Sequence, residues 1–280
     1  MTVLLPDLSE FQLNADMAGI KRVNGGAAII RACYGQAHTD HVFARLRHDA
    51  HAAGFAFLGI YQYLDAGVDV AAQAHAYRAI VGKLAPHEVP VLDLEEGTGS
   101  QAARAAEWLA LIGTALGKRP WLYSGLSFAQ THGLAPIFDG PDVHTWVAAY
   151  GSQEPALGHT LWQSTNGAVG ANITDWPGAG RCDTSIYHGT LDGLAALADP
   201  VPPHKAAPHV VTHTTAGRLS LAALAAQHKT KPMHILHLTC SHFGGFPAEV
   251  AAWGNAALSG DVDPVAPMPA GMHLRVPVIP

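Results

Sequence analysis

The chain has 280 residues, of which 49% are hydrophobic and 14% are charged, and its formal net charge at pH 7 is −6. This composition is typical of a globular protein and not of a disordered chain. We expect no nucleic-acid partner, because such binders carry a basic patch and the sequence shows none. We also expect no membrane partner, because no run approaches the roughly 18 apolar residues that a membrane span requires.

Eight short apolar segments are predicted as strands, and three longer Ala-rich stretches between them are predicted as helices. The alternation indicates parallel βαβ units, and eight strands suffice for a closed barrel. Beyond about residue 140 the strands follow one another with little helix. We therefore expect an α/β fold, an irregular TIM-like (β/α) barrel with reduced helices, over residues 1–198. The predicted strands are 3–5, 27–33, 55–63, 89–94, 119–123, 145–149, 160–163 and 182–187, and the predicted helices are 40–53, 67–83 and 100–116.

The composition changes near residue 199. Residues 199–217 are rich in Pro, His and Ala without apolar periodicity and are interpreted as a linker. Residues 218–280 are predicted to form a small C-terminal α/β module. Its elements would be helices at 219–229 and 247–258 around a strand at 234–240.

The N-terminus and the cysteines bear on the compartment. The segment MTVLLPDLSEFQ has neither a basic region nor a long apolar core, so we do not expect a Sec signal peptide. Cys33, Cys182 and Cys240 are widely spaced, which argues against a disulfide framework. We therefore expect synthesis in the cytoplasm, so that action outside the cell would follow release by a holin, by a virion or by lysis.

Acidic residues stand at the ends of predicted strands. Asp93 and Glu95, in PVLDLEEGTG, share one face of a strand because alternate residues point to the same side. Asp7 follows the first strand and Asp183 begins the last, so four carboxyl groups could meet at one rim. Close carboxyls raise one another's pKa, and glycoside hydrolysis uses a protonated acid beside a carboxylate. The alternative for each acid is the solvated end of an ordinary strand.

The segments around these acids form a series. In order between about residues 3 and 195 they are LPDLSEFQ, AAIIRACYG, GFAFLGIYQYLDA, VPVLDLEEG, PWLYSG, WVAAYG, LWQST and RCDTSIYHGTLDGL. The series resembles glycoside hydrolase family 25, the Chalaropsis-type lysozymes (N-acetylmuramidases) of bacteria and phages. Its most specific part is LDLE followed by YSG, WVAAY, LWQ and CD.

The resemblance implies cleavage of the β-1,4 bond between N-acetylmuramic acid and N-acetylglucosamine in peptidoglycan. Glu95 would be the general acid. Asp93 would stabilise the transition state, or position the substrate's N-acetyl group if that group is the internal nucleophile. Asp7 and Asp183 would complete the acidic cleft. The acids suffice for this chemistry, so we expect no cofactor and no metal.

Aromatic residues near strand ends are candidates for sugar binding. Tyr61, Tyr123, Trp146 and Tyr150 could stack on sugar rings, and Gln163 could hydrogen-bond N-acetyl groups. The alternative for each aromatic residue is packing in the core.

Two positions depart from the family pattern. Gln62 stands where many members have His, so a polar role there passes to Gln62 or is lost. Arg31 stands where Lys is frequent, and the two differ in hydrogen-bond geometry.

The C-terminal residues 218–280 resemble a LysM-like module, which would bind glycans that contain N-acetylglucosamine. The alternative is a docking domain for a phage tail or contractile particle. His234, His237, Cys240 and His242 have spacing that suggests zinc, but we interpret them as a strand with alternating faces.

The leading hypothesis is a peptidoglycan hydrolase that serves as a phage endolysin or a particle-associated lysin. A non-catalytic structural or wall-binding component of a phage tail or injection particle, built on a lysozyme barrel, is the alternative. A barrel hydrolase that acts on another amino-sugar polymer is a third possibility. The presence of all four acids favours an enzyme.

Overall fold

A computed structural model describes residues 1–170, 175–198, 209–214 and 273–278. The chain divides into two units, Met1–Pro202 and Pro203–Pro280. The strands of the first unit are β1 (Val3–Leu8), β2 (Ala27–Tyr34), β3 (His38–Thr39), β4 (Phe57–Tyr63), β5 (Glu88–Asp93), β6 (Trp121–Gly125), β7 (His144–Ala148), β8 (Leu161–Thr165), β9 (Asp175–Trp176), β10 (Gly180–Arg181) and β11 (Asp183–Tyr187). Its helices are α1 (Met17–Asn24), α2 (Phe43–Ala53), α3 (Val70–Val81), α4 (Ala102–Leu116), α5 (Leu126–Thr131), α6 (Ala135–Phe138) and α7 (Leu191–Ala196).

Eight of these strands close into a barrel in the order β1-β11-β8-β7-β6-β5-β4-β2, and β2 pairs with β1 to complete it. Seven of the barrel strands are parallel to one another, namely β1, β2 and β4 to β8. The eighth, β11, is antiparallel to both of its neighbours, β8 and β1. The predicted fold class and all eight predicted strands are confirmed. The three predicted helices are also confirmed as α2, α3 and α4, while α1 and the short helices α5 to α7 were not predicted.

Alternating side chains divide each barrel strand between two apolar clusters. One cluster fills the barrel and includes Leu5, Ile29, Val91 and Trp121. The other lies between the strands and the helices and includes Trp108 of α4. Because the interior is packed with large side chains, the polar residues that continue the inward-facing rows past this core gather at the rim where the parallel strands end.

Local sequence explains where the longer helices begin and end. Asp69 precedes α3, and its carboxylate accepts a hydrogen bond from the Ala72 N–H at 2.9 Å. Gly54 and Gly117 follow α2 and α4 in the left-handed region, at φ 73° and 62°, where a side chain would be strained. Asp69 thus ends the loop after β4, which lies at the polar rim, whereas the two glycines lie at the opposite end of the barrel.

In the second unit, the structure describes a strand β12 (His209–Thr214) that pairs antiparallel with β13 (His273–Val278). β12 lies within residues 199–217, the predicted linker. The rest of the predicted module 218–280, including the histidine and cysteine series at 234–242, lies outside the described residues. No helix in the described part of the chain is long and apolar enough to cross a membrane.

Candidate active site

Four carboxyl groups meet at one rim of the barrel. Asp7 in β1 and Asp183 in β11 are Cα partners in the antiparallel pairing of these strands. Asp93 ends β5, and Glu95 follows two residues later. Because β11 runs against the other strands, its first residue lies at the rim where the parallel strands end. The structure therefore brings together the four acids predicted from the sequence.

Burial and mutual repulsion raise the pKa of the two deepest acids. The pKa of Asp7 is raised well above its usual value, chiefly by burial and next by the charge of Asp183. Arg31 and a hydrogen bond with Tyr61 oppose this rise. Although Asp7 keeps some exposed surface, its Oδ1 atom is buried, which supports a large desolvation cost. The pKa of Asp93 is raised by burial first and then by Glu95 and Asp7.

Asp93 and Glu95 share a side-chain hydrogen bond, which requires a proton on one of the two carboxyl groups. Burial raises the pKa of Glu95, and the hydrogen bond with Asp93 only partly offsets that rise. Burial also raises the pKa of Asp183 to about 6. The cluster therefore retains a dissociable proton near neutral pH, which is the state that general acid catalysis requires.

Two carboxylate oxygens at this rim lack a partner. Among the described side chains, the Oδ1 atoms of Asp7 and Asp93 are buried without a hydrogen bond. An unsatisfied buried polar group costs about 1–3 kcal/mol, so such atoms are rare unless a ligand completes them. Both atoms belong to the acid cluster, which marks it as a binding site.

Polar side chains extend from the acids across the rim. Gln163 is fully buried, and its Nε2 donates to Asp183 Oδ2 at 3.2 Å. Its Oε1 accepts from the hydroxyl groups of Tyr123 at 2.8 Å and Tyr150 at 3.4 Å. Tyr150 is 45% exposed, so its ring is open to a ligand. Gln163 thus couples Asp183 to two of the predicted sugar-binding tyrosines.

The other two predicted sugar-binding aromatics are buried, as Tyr123 is. Tyr61 is buried and forms a hydrogen bond with Asp7. Trp146 is 1% exposed, lies with its ring centroid 4.1 Å from that of Tyr123, and donates to Ser185 Oγ at 2.8 Å. In this structure Tyr61 and Trp146 support the site from within the barrel. Their direct contact with sugar stays a prediction.

Comparisons with known proteins agree with this geometry. The family model described as glycosyl hydrolases family 25 matches residues 6–172. The chain belongs to glycosyl hydrolase family 25. It is therefore a glycoside hydrolase by family.

Individual relatives match about 70% of this chain. The uncharacterized protein YegX of Escherichia coli K12 is 28% identical over 205 residues, which cover 69% of this chain and 72% of YegX. The muramidase of Trichobolus zukalii is 25% identical, with a TM-score of 0.60 over 70% of this chain and 98% of its own. The bacterial lysozyme of Streptomyces coelicolor is 22% identical, with a TM-score of 0.61 over 70% of this chain and 97% of its own.

Gln62, the departure from the family 25 pattern in β4, does not face the acids. It is fully buried on the outer side of the barrel, where its Nε2 donates to Gly35 O at 2.8 Å and Gln73 O at 3.0 Å. Its Oε1 accepts from Trp108 Nε1 at 2.7 Å. The polar role of Gln62 is therefore to join the barrel to α3 and α4.

Arg31, the second departure, is a cation whose charge acts on the acid cluster. Its Nη2 lies 2.6 Å from Glu10 Oε1 and its Nε lies 3.1 Å from Asp40 Oδ2, so two carboxylates hold the guanidinium in place. Its positive charge lowers the pKa of Asp7 and Asp93 against the larger effect of burial. The paired geometry uses two guanidinium nitrogens, which a lysine could not supply.

Two clusters of the described part of the chain place potential metal-binding atoms within 4.8 Å of one another. In both, an arginine already binds the carboxylates: Arg31 holds Glu10 and Asp40, and Arg47 holds Glu88 through two bonds of 2.7 Å. These guanidinium groups occupy the position of a cation. The clusters are Glu10 with Asp40 and His41, and His51 with His87 and Glu88.

Sequence reasoning missed residues that hold the site in shape. Ser124 Oγ donates to Leu94 O at 2.7 Å, which fixes the backbone between Asp93 and Glu95. Ser185 accepts from Trp146, and it shares the inward face of β11 with Asp183. Because Ser185 lies two residues beyond Asp183, the strand period could have revealed it. Ser124 stands in the YSG segment of the family 25 series, but the sequence did not indicate its contact with Leu94.

We expect Asp7→Asn to stabilise the protein at pH 8 and to leave stability at pH 4 nearly unchanged. The pKa of Asp7 is raised in the folded state, so the folded state binds more protons above the unfolded pKa and stability falls as pH rises. Asn removes this loss. Thermal unfolding should show a higher Tm at pH 8, by at least about 2–4 °C for each kcal/mol recovered.

The exposed acid Asp142 supplies the control for this experiment. Asp142→Asn should leave Tm within about 1 °C at both pH values, because surface substitutions are usually near neutral. An equal rise for Asp7→Asn at pH 4 and pH 8 would contradict the electrostatic explanation.

Proposed function

We propose that this glycoside hydrolase is a muramidase that cleaves the β-1,4 bond between N-acetylmuramic acid and N-acetylglucosamine in peptidoglycan. Membership of family 25 supports peptidoglycan hydrolysis in general. A muramidase and a lysozyme among the structural relatives support the finer assignment. The observation that carries the proposal is the hydrogen-bonded, buried pair of Asp93 and Glu95 with pKa values raised by burial.

Glu95 acts as the general acid in this proposal. It is less buried than Asp93. Its Oε2 lies beside Gly125 at the end of β6, 3.7 Å from the point where a Cβ atom would stand if that residue had one. The proton that the pair shares moves to Glu95 and then to the leaving glycosidic oxygen as the C1–O bond breaks. Glu95 is left as a carboxylate, which can later accept a proton from water.

Asp93 then supports the developing positive charge. Inverting glycosidases separate their two carboxyl groups by about 6.5–9.5 Å and retaining ones by about 5–5.5 Å, and a hydrogen-bonded pair is closer than either. This favours Asp93 as the residue that orients the substrate's N-acetyl group as internal nucleophile, with retention at the anomeric carbon.

Gln163, Tyr123 and Tyr150 form the sugar contacts in this proposal. The exposed Tyr150 ring offers a stacking surface, and the hydroxyl groups of both tyrosines fix the Gln163 amide beside Asp183. Aromatic faces bind the C–H surfaces of sugars, and fixed amides bind N-acetyl groups without loss of rotamer freedom.

The test is product analysis on purified peptidoglycan. We expect muropeptides with reducing N-acetylmuramic acid ends, measured by reducing-sugar release and mass spectrometry. Reducing N-acetylglucosamine ends would instead make the enzyme a glucosaminidase. Binding to the wall without any release would favour the alternative, a non-catalytic structural or wall-binding component.

The biological setting forms a further part of the proposal. An endolysin of Listeria phage P40 is a structural relative with a TM-score of 0.59, which supports a phage endolysin or a particle-associated lysin. Release by a holin, a virion or lysis would bring the enzyme to the wall. Residues 218–280 would act as a LysM-like wall-binding module, or as a docking module for a tail or contractile particle.

A further inference from the structure

A second polar pocket lies beside the acid cluster. It has a volume of about 480 Å³, and it lies between the loop after β4 and the loop after β5. We name it the Arg104 pocket after its most polar member. Both loops follow the C-terminal ends of adjacent parallel strands, so the pocket opens on the rim that carries Glu95. Its lining includes Gly67, Gly97, Thr98, Ser100, Gln101 and Arg104.

Arg104 brings to this pocket a positive charge that has no ion-pair partner among the described residues. Its Nη2 donates to the backbone oxygens of Asp65 at 2.8 Å and Val68 at 3.3 Å, which holds the guanidinium between the two loops. Its Nε is buried without a hydrogen-bond partner, and Arg104 forms no ion pair within 4.0 Å among the described residues. The Nη1 group makes no hydrogen bond among the described residues, so it can donate a charge-assisted hydrogen bond to a ligand carboxylate.

The first turn of α4 adds to the positive potential. This 15-residue helix begins after Gln101, which makes no side-chain hydrogen bond to cap it. Ser100 Oγ lies 3.5 Å from the Ala102 N–H, at the limit of a hydrogen bond. The N-terminus of a helix carries partial positive charge and free N–H groups, both of which favour an anion.

Gln101 provides an unmatched acceptor in the same pocket. The residue is 4% exposed, and its Nε2 donates to Thr98 O at 2.8 Å, but its Oε1 is buried without a partner. A ligand that satisfies the Arg104 pocket must therefore offer an anionic group and an N–H donor together. A peptide with a free carboxylate offers both, whereas a phosphodiester linkage itself carries no donor.

The neighbouring acids are already engaged. Glu96 accepts the Tyr63 hydroxyl at 3.0 Å, Asp65 Oδ1 accepts the Gly67 N–H at 2.7 Å, and Asp69 caps α3. Their charges weaken the field of Arg104, but their oxygens are turned to other donors. The guanidinium remains the group that is available to a ligand carboxylate.

We propose that the Arg104 pocket binds the stem peptide of the peptidoglycan strand, with a peptide carboxylate on Arg104 and a peptide N–H on Gln101. This inference rests on the proposed muramidase function. The stem peptide hangs from the muramic acid residue whose bond is cleaved, so its carboxylates reach the rim beside Glu95. The pocket makes the enzyme selective for glycan strands that still carry peptides.

The test compares two substrates and four proteins. Wild type, Arg104→Gln, Gln101→Met and the control Arg78→Gln are assayed on intact peptidoglycan and on strands stripped of peptides by an amidase. Arg78 is an exposed arginine on α3 that lines a different groove. We expect Arg104→Gln to raise KM about tenfold on intact peptidoglycan, the effect of losing one charge-assisted contact. Stripped strands should show less than a ~2-fold change with Arg104→Gln.

The stripped strands also separate recognition from folding. A variant that only loosens the loops would lose activity on both substrates equally, and that result would overturn the inference. Equal KM values for wild type on the two substrates would also overturn it. A third result would also overturn it. If wall phosphodiester polymers raised activity on stripped strands, and Arg104→Gln abolished that rise, the pocket would be assigned to phosphate.

Calorimetry with the free stem peptide, released from the same wall by the amidase, tests the pocket without catalysis. Binding to wild type that weakens about tenfold in Arg104→Gln supports the inference, even if the enzyme cleaves neither substrate and the muramidase proposal fails. No binding to wild type overturns the inference while leaving the muramidase proposal intact.

Discussion

Glu95→Gln is expected to lower kcat on peptidoglycan by about 10²- to 10⁴-fold, the range by which a general acid accelerates proton transfer. The amide has the shape of the protonated carboxyl group but cannot give its proton to the leaving oxygen. Binding should change little, because Gln can still hydrogen-bond Asp93. Initial rates of reducing-sugar release, with KM measured alongside kcat, will show this separation.

A substrate with an activated aryl leaving group supplies the control for Glu95→Gln. Such a leaving group departs without protonation, so the variant should lose far less activity on an aryl glycoside than on peptidoglycan. Asp93→Asn should lose activity on both substrates, because Asp93 acts at the sugar and not at the leaving group. If instead Asp93→Asn kept its activity on the aryl glycoside and Glu95→Gln did not, Asp93 would be the general acid and Glu95 the residue that acts at the sugar.

The strand period accounts for how much of this site could be predicted from sequence. Asp93 and Glu95 stand two residues apart, and alternation alone places them on one face. The same period places Gln62 out of phase with Tyr61, and in the structure Gln62 joins the barrel to the helices. The outward position of Gln62 could have been predicted from the sequence, because adjacent residues of a strand point to opposite faces.

The direction of β11 could not be predicted from the sequence. In an all-parallel barrel Asp183, at the start of β11, would lie at the rim opposite to Asp7. The antiparallel pairing of β11 with β1 reverses this, and it makes the two acids Cα partners. No local pattern in RCDTSIYHG distinguishes the two directions, because direction depends on how the preceding loops cross the barrel. Loop contacts such as those of Arg104 with residues 65–68 depend on the same long-range geometry.

Burial could not be predicted residue by residue either. Trp146 and Tyr150 both stand near the end of β7, yet one is 1% and the other 45% exposed. Trp146 continues the inward row of the strand, whereas Tyr150 lies beyond its end.

The buried acid cluster lowers the stability of the folded protein, so other interactions must offset that cost. One of them lies at the opposite end of the barrel.

Glu88→Gln is expected to destabilise the barrel by about 3–5 kcal/mol, because it breaks a buried ion pair and leaves Arg47 without its partner. The Glu88 side chain has no exposed surface, and it accepts from Arg47 through two bonds of 2.7 Å, from His51 at 2.7 Å and from the Ala85 N–H at 2.6 Å. Arg47 also donates to the backbone oxygen of Val81 at 2.6 Å. The network therefore ties α2 to the loop between α3 and β5. Urea unfolding at pH 7 will measure the loss.

The pH dependence distinguishes an ion pair from packing alone. Arg47 and the other donors outweigh burial and lower the pKa of Glu88 from its ordinary 4.5. A lowered folded pKa gives stability that is fully present above the unfolded pKa and is lost as pH falls through the folded pKa. The gap between wild type and Glu88→Gln should therefore be constant above about pH 5.5 and shrink below pH 4.5.

Glu154→Gln is the matched control for Glu88→Gln. It removes the same charge from pairs with His159 and His188, in which the Glu154 side chain is 45% exposed. It should cost less than about 1 kcal/mol. Glu88 starts β5 while Asp93 ends it, so hydrolysis per folded molecule should be unchanged in Glu88→Gln. A pH-independent gap would show that packing, and not charge, sets the contribution of Glu88.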